Sequence, residues 1–328
     1  MEDDLLADVR SFSFENPLTE EEKELLYLRA RSAGLTFCGC AHASFLCKLV
    51  HSLRCLIKSR RANRDSSVPG EDSDLCVGII GMGHMGRQLL TSLLEKSGIK
   101  PSQIKISSRT PDSAVEFIQK GVECLFDNRR LAAWADVLFL CSLPSHLPKV
   151  CADLHSHLSK SCLVYSFTSA VPVNRLAQLL GHDFILKPQY DFVSCDTADV
   201  VLTCTHLTTA LTDHFLIKAS CPLTMSSGIY LGLSWVCAVL YSLLNICTST
   251  SLGSSDALSL INIILKEKWP LAVDLNTHSF ISASSTLLTE EPFPWISLAD
   301  AQTKETPLLC FLSSSTSMEQ CISETPAK

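Results

Sequence analysis

Positive charge is in short supply in this chain. Lysine and arginine total 27 against 34 aspartates and glutamates, for a net charge of −7. No basic face with interleaved aromatics is legible, so nucleic acid is not expected as a partner, because phosphate contacts need clustered cations. Charged residues reach only 19% and apolar residues 46%, a balance that argues against a disordered chain and for a sizeable core. The first residues, MEDDLLADVR, show neither an apolar run behind a basic start nor an arginine-rich face. A secretory leader is therefore not expected, and the expected location is cytoplasmic; a mitochondrial one would need a signal that is not legible here. Without secretion, the 16 cysteines do not read as a disulfide framework. Most stand beside Leu, Val or Ile, as in LCVGII and FLCSLP, and read as small buried hydrophobes.

Catalytic and metal constellations are also scarce. None of the 10 histidines forms a paired ligand spacing with acids, no Ser-His-Asp or Cys-His order stands out, and there are no internal repeats. Cys47, His51 and Cys55 recur every four residues, with Cys40 upstream, in CGCAHASFLCKLVHSLRC. One helix cannot wrap a tetrahedron, so this stripe is expected to face a core or lipid, and no metal is expected. One uncharged run, Ile229 to Cys247, approaches the roughly 20 residues needed to cross a bilayer. It carries Gly232, Ser234, Ser242 and Asn245 without closely flanking Lys or Arg. A buried helix, at the core or a subunit interface, is the expected reading, and a membrane is not an expected partner.

What is present is rhythm. TEEEKELLYLRARSAG reads as an N-terminal helix capped by Thr19 and stopping near Gly34. Polar residues 59–74, with Pro69-Gly70, read as a linker. From Leu75, apolar runs at 75–80, 103–108, 122–126, 136–142, 163–167 and 183–188 alternate with helical patterns. Apolar strands between helices imply a parallel sheet covered on both faces. The expected organisation is an N-terminal helical extension and linker (1–73), a doubly wound Rossmann-type α/β domain (74–205), a smaller helical domain (206–280) and a Ser/Thr/Pro-rich, partly disordered tail (281–328).

The first run ends in GMGHMG, which places Gly81, Gly83 and Gly86 in a G-x-G-x-x-G spacing. It follows a strand and opens a helix, the context a dinucleotide pyrophosphate needs. An NAD site usually has an acid at the end of the second strand. This chain has Ser107, Ser108, Arg109 and Thr110 there, with Asp112 beyond Pro111. A guanidinium with hydroxyls suits a 2′-phosphate, so the expected cofactor is NADP. The fourth run ends at Cys141-Ser142-Leu143-Pro144, on the carboxyl edge where such sheets bind ligands.

VGIIGMGHMG, SSRTPDSA, DVLFLCSLPSHLPKV and LVYSFTSAVPVNRLAQLL, in that order, resemble the pyrroline-5-carboxylate reductase family over roughly residues 75–190. The resemblance implies a cofactor domain followed by a helical domain that dimerises and completes the active site. It implies hydride transfer from NAD(P)H to a cyclic imine, giving proline. By match to the motifs, Gly81, Met82, Gly83, His84, Met85 and Gly86 would meet the pyrophosphate. Ser108, Arg109 and Thr110 would bind the adenosine phosphate, and Cys141, Ser142, Leu143 and Pro144 would line the nicotinamide ribose. Thr168, Ser169 and Ala170 fall at the small-residue turn beside the nicotinamide. The chain departs from the pattern in Leu143-Pro144 for Lys-Pro, in Lys187-Pro188-Gln189-Tyr190 for Asn-Thr-Pro, and in lacking the Ser-Ser-Pro-Gly-Gly-Thr carboxylate loop. TMSSGIY and SLGSSDA do not replace that loop. The expected function is an NADP-dependent oxidoreductase acting on a C=N or C=O bond of a small carboxylated substrate. The alternative is an NADPH-binding sensor without turnover.

Overall fold

The computed structural model describes residues 26–64, 74–109, 114–192, 229–268, 275–281 and 290–313. The helical start at Thr19, the linker stretch 65–73 and the SSGIY-preceding segment 193–228 lie outside them.

All six apolar runs form strands. These are β1 (Val77–Ile80), β2 (Ile104–Ser107), β3 (Glu123–Leu125), β4 (Val137–Leu140), β5 (Leu163–Ser166) and β6 (Ile185–Leu186), in one sheet of order β3-β2-β1-β4-β5-β6. Every pair is parallel. The order reverses between β1 and β4, which opens a crevice at the carboxyl edge.

Right-handed crossovers decide which face each helix takes. α2 (His84–Lys96) and α3 (Val115–Gln119) share a core with Val77, Ile79, Ile104 and Ile106. α4 (Asn128–Trp134), α5 (Leu147–Leu154) and α6 (Val173–Leu180) bury the opposite face, with Ile80, Leu138, Leu140 and Val164. Gly78 permits that approach, because a Cβ there would meet Leu138 at 2.7 Å and Leu131 at 3.2 Å.

The crossovers leave the first face bare over β4 to β6, and an N-terminal helix covers it. α1 (Leu26–Arg64) is a single helix of 39 residues, about 58 Å long at 1.5 Å per residue. It does not stop at Gly34; a glycine inside a helix costs only about 1 kcal/mol, and the burial that follows outweighs it. Cys40, Ala43, Leu46, Cys47, Val50, Leu53 and Ile57 are buried in the same core as Phe139 and Tyr165. Small residues allow close approach to α2, where the Ser44 and Ser92 hydroxyls share a buried hydrogen bond of 2.8 Å. The stripe proposed at Cys47, His51 and Cys55 therefore turns gradually out of the core, Cys47 being buried and Cys55 exposed. Among the described residues no group of side chains could hold a metal ion.

The opposite end of α1 is bolted down by charge. Arg54 makes a two-pronged ion pair with Asp136, one arm at 2.8 Å, and Asp136 also accepts the Cys76 N–H at 2.9 Å. Both side chains are about one-third exposed, so the pair itself is screened. Asp136→Ala also strands a backbone donor, and a loss of about 1–2 kcal/mol is expected. A urea midpoint identical to wild type would show that the contact contributes nothing.

Beyond the sheet, β7 (Tyr190–Phe192) pairs antiparallel with β8 (Ile229–Leu231). The uncharged run then becomes α7 (Leu233–Ser249), with Trp235 to Cys247 buried without interruption. It packs against α1, α8 (Ser254–Lys268), α10 (Leu298–Thr303) and α11 (Pro307–Ser313). α9 (Thr277–Phe280) adds Phe280 to this core. No helix among the described residues is long and apolar enough to cross a membrane.

Part of the Ser/Thr/Pro-rich stretch is ordered by amide side chains that read backbone. Asn245 donates to Ile296 O (2.7 Å) and accepts from Ile296 N (3.0 Å). Gln302 accepts from Lys187 N (2.9 Å) and donates to Ile185 O (2.7 Å), closing the open edge of β6.

Candidate cofactor cleft

The glycine turn shows what each residue is for. Gly81 has φ +95°, a left-handed conformation that side chains resist, and its N–H donates to Ser107 O at 3.1 Å. A Cβ on Gly86 would lie 2.0 Å from Gly81 O, so the turn folds onto the helix only because that position is bare. Gly83 differs from both. It caps α2 in an ordinary extended conformation (φ −74°), and nothing lies within 4 Å of where its Cβ would be. No side chain caps the helix. Its first N–H groups therefore face outward with the positive end of the helix dipole.

In front of this turn lies a cleft of about 710 Å³ on the carboxyl edge. It is lined by Gly81, Met82, Gly83, Ser107, Ser108, Arg109, Cys141, Ser142 and Leu143, all singled out from the sequence. Ile80 and Val150 add apolar wall, and Phe126, Asn128, His146, Lys149 and Asp153 also line it and were not anticipated. Phe126, Asn128 and His146 follow strand ends, which could have pointed to them, whereas Lys149 and Asp153 lie within α5 and carried no such signal.

Arg109 is exposed at the rim, with Ser107 and Ser108 buried behind it. The Ser107 hydroxyl donates to Asn128 Oδ1 (2.7 Å), and the Asn128 amide donates to the Asp153 carboxylate (3.0 Å). This chain of bonds fixes the cleft floor. The Ser142 hydroxyl is buried with no hydrogen-bond partner. A polar group left so is costly unless a ligand or water answers it. Thr168 is buried and its hydroxyl donates to Ser142 O at 3.5 Å, which ties the turn after β5 to the turn after β4. Ser169 and Ala170 are exposed beside it. Burial pushes the Cys141 thiol well above its usual range, which favours its neutral form.

The side chains of other residues expected here lie elsewhere. His84 is exposed at the helix start, outside the cleft lining. Met85 points to the N-terminal helix, its methyl 3.7 Å from the place of a Gly39 Cβ, because α1 occupies that side. Gly86 is buried beneath the turn and serves packing. Pro144 opens a short 3₁₀ turn (Pro144–His146) and does not line the cleft. Thr110 and Asp112 lie outside the described residues. At the far end of the sheet, burial lowers the basicity of Lys187, and the Tyr190 hydroxyl is 3.0 Å from His42 Nδ1 of α1.

A doubly wound parallel sheet, a glycine turn at the first crossover and a cleft at the switch point define a Rossmann-type dinucleotide fold. The family described as NADP oxidoreductase, coenzyme F420-dependent, matches residues 76–169. NADP-dependent oxidoreductase domain-containing protein 1 of Mus musculus is 38% identical over 98% of this chain and 92% of its own length. Pyrroline-5-carboxylate reductase of Escherichia coli (strain K12) is 33% identical over 33% of this chain and 40% of its own length. Among solved structures, a pyrroline-5-carboxylate reductase from Coxiella burnetii is 20% identical, covering 62% of this chain and 82% of that one, with a TM-score of 0.34. The chain belongs to the family of NADP-dependent oxidoreductase domain-containing protein 1, within the pyrroline-5-carboxylate reductase-like NAD(P)-dependent oxidoreductases.

Proposed function

We propose that this protein binds NADPH in the cleft and reduces a C=N or C=O bond of a small carboxylated molecule, pyrroline-5-carboxylate being the first candidate. The observation that carries the reading is the open approach to Gly83 before an uncapped helix, in the same cleft as the unanswered Ser142 hydroxyl. The residues present fit the cofactor. Backbone N–H groups of the turn would hold the pyrophosphate, Arg109 with Ser108 the adenosine phosphate, and Ser142 with Thr168 the nicotinamide ribose side. When bound, the cofactor supplies a hydride. The chain's part is to orient that ring at the turns after β4 and β5, which the Thr168–Ser142 hydrogen bond holds together.

Arg109→Ala tests the choice of cofactor. A loss of about tenfold in NADPH affinity is expected, the scale of one charge-assisted contact, with NADH binding unchanged. Equal wild-type affinity for NADPH and NADH, by fluorescence titration, would remove the NADP assignment.

The absent carboxylate loop favours a second reading, an NADPH-binding sensor without turnover. Following NADPH oxidation with pyrroline-5-carboxylate separates the two. Substrate-dependent oxidation supports the reductase, whereas tight NADPH binding with no oxidation supports the sensor.

A further inference from the structure

Phe126 is 72% exposed, the one aromatic among the exposed large hydrophobic residues described. It stands at the carboxyl end of β3 and lines the cleft beside Arg109. Two contacts fix its position. Ser108 N–H donates to Leu125 O at 3.2 Å, which holds the ends of β2 and β3 together. On the other side, Asp127 caps α4 by accepting Arg129 N–H at 2.9 Å. The ring is thus carried between a strand and a helix cap, in water, where it gains nothing from the core.

We propose that Phe126 is the platform on which the cofactor's adenine stacks, in the same cleft as Arg109. This rests on the dinucleotide reading of the cleft. With the pyrophosphate at Gly83 and the 2′-phosphate at Arg109, the base extends past Arg109 to the β3 end. An exposed aromatic face in the same cleft offers a surface for a planar π-system. The neighbouring Asn128 is already engaged, accepting from Ser107 and donating to Asp153. The base is therefore held by its face and not read along its edge, and the subsite tolerates changes to the purine edge.

The test is a set of titrations on the full-length protein with NADPH and with 2′,5′-ADP, which carries the adenine but no nicotinamide. Phe126→Ala weakens both ligands equally, by about tenfold, the scale of a base–aromatic stack. Phe126→Trp and the hypoxanthine analogue of NADPH each bind within about threefold of the natural pair, since stacking is tolerant of the base. The melting temperature of the unliganded Phe126→Ala protein stays at the wild-type value, because the ring is exposed. Wild-type affinity in Phe126→Ala, a loss confined to NADPH, or rejection of the hypoxanthine analogue overturns the platform. Failure of the wild type to bind either ligand overturns the dinucleotide reading together with it.

Discussion

Gly86→Ala lowers the melting temperature by about 10 °C and abolishes NADPH binding. The added methyl would sit 2.0 Å from the carbonyl oxygen of Gly81, well inside any real contact. Neither partner can yield. Gly81 is already pinned by its bond to Ser107 O and by a left-handed φ of +95°, and Gly86 is one turn into a helix whose Leu89, Leu90 and Leu93 are buried. Relief requires the turn to lift off α2. Overpacking of this kind costs about 3 kcal/mol or more, and for a protein of this size each kcal/mol moves the melting temperature by about 2–4 °C. A variant that melts like wild type would mean the turn relaxes cheaply, and the close fit would lose its meaning.

Gly83→Val has the opposite signature. The unliganded protein melts only about 2–4 °C below wild type, because Gly83 caps α2 and valine, a poorer cap, costs about 1 kcal/mol there. The space is open and the backbone ordinary there. NADPH affinity nevertheless falls by about 100-fold, the scale of losing two charge-assisted contacts to phosphate. A branched side chain would stand where the backbone must meet the diphosphate. Two glycines three residues apart thus separate folding from binding. Unaltered NADPH affinity in Gly83→Val, measured by fluorescence titration, would show that the ligand does not cross this turn.

The sheet was legible because its strands are buried on both faces and so read as short apolar runs bounded by polar turns. All six runs became strands, and the helix opening at His84 kept its bounds. The turn was legible because at Gly81 and Gly86 only glycine satisfies its geometry. Less was legible where a residue's partner lies far along the chain. Thr19 to Gly34 read locally as a whole helix, yet the helix runs through Gly34 to Arg64, since the packing of Cys40, Leu46 and Leu53 outweighs one poor helix former. The motif says nothing of α1, so nothing in it announced that the Met85 side chain lies toward Gly39. Phe126 looked like the last core residue of a strand, and no periodicity announces that its ring is left in water. The helices at Leu298–Thr303 and Pro307–Ser313 were hidden by serines and prolines, although Leu298, Leu308 and Leu312 are buried.

The long N-terminal helix has a consequence for how the chain comes to be made. Its apolar stripe leaves the ribosome long before the surfaces it lies against, from Phe139 and Tyr165 to Leu260 and Ile264. Assembly therefore waits on distant contacts, which slows it. Through that delay a greasy helix must be kept from meeting its neighbours on other nascent chains.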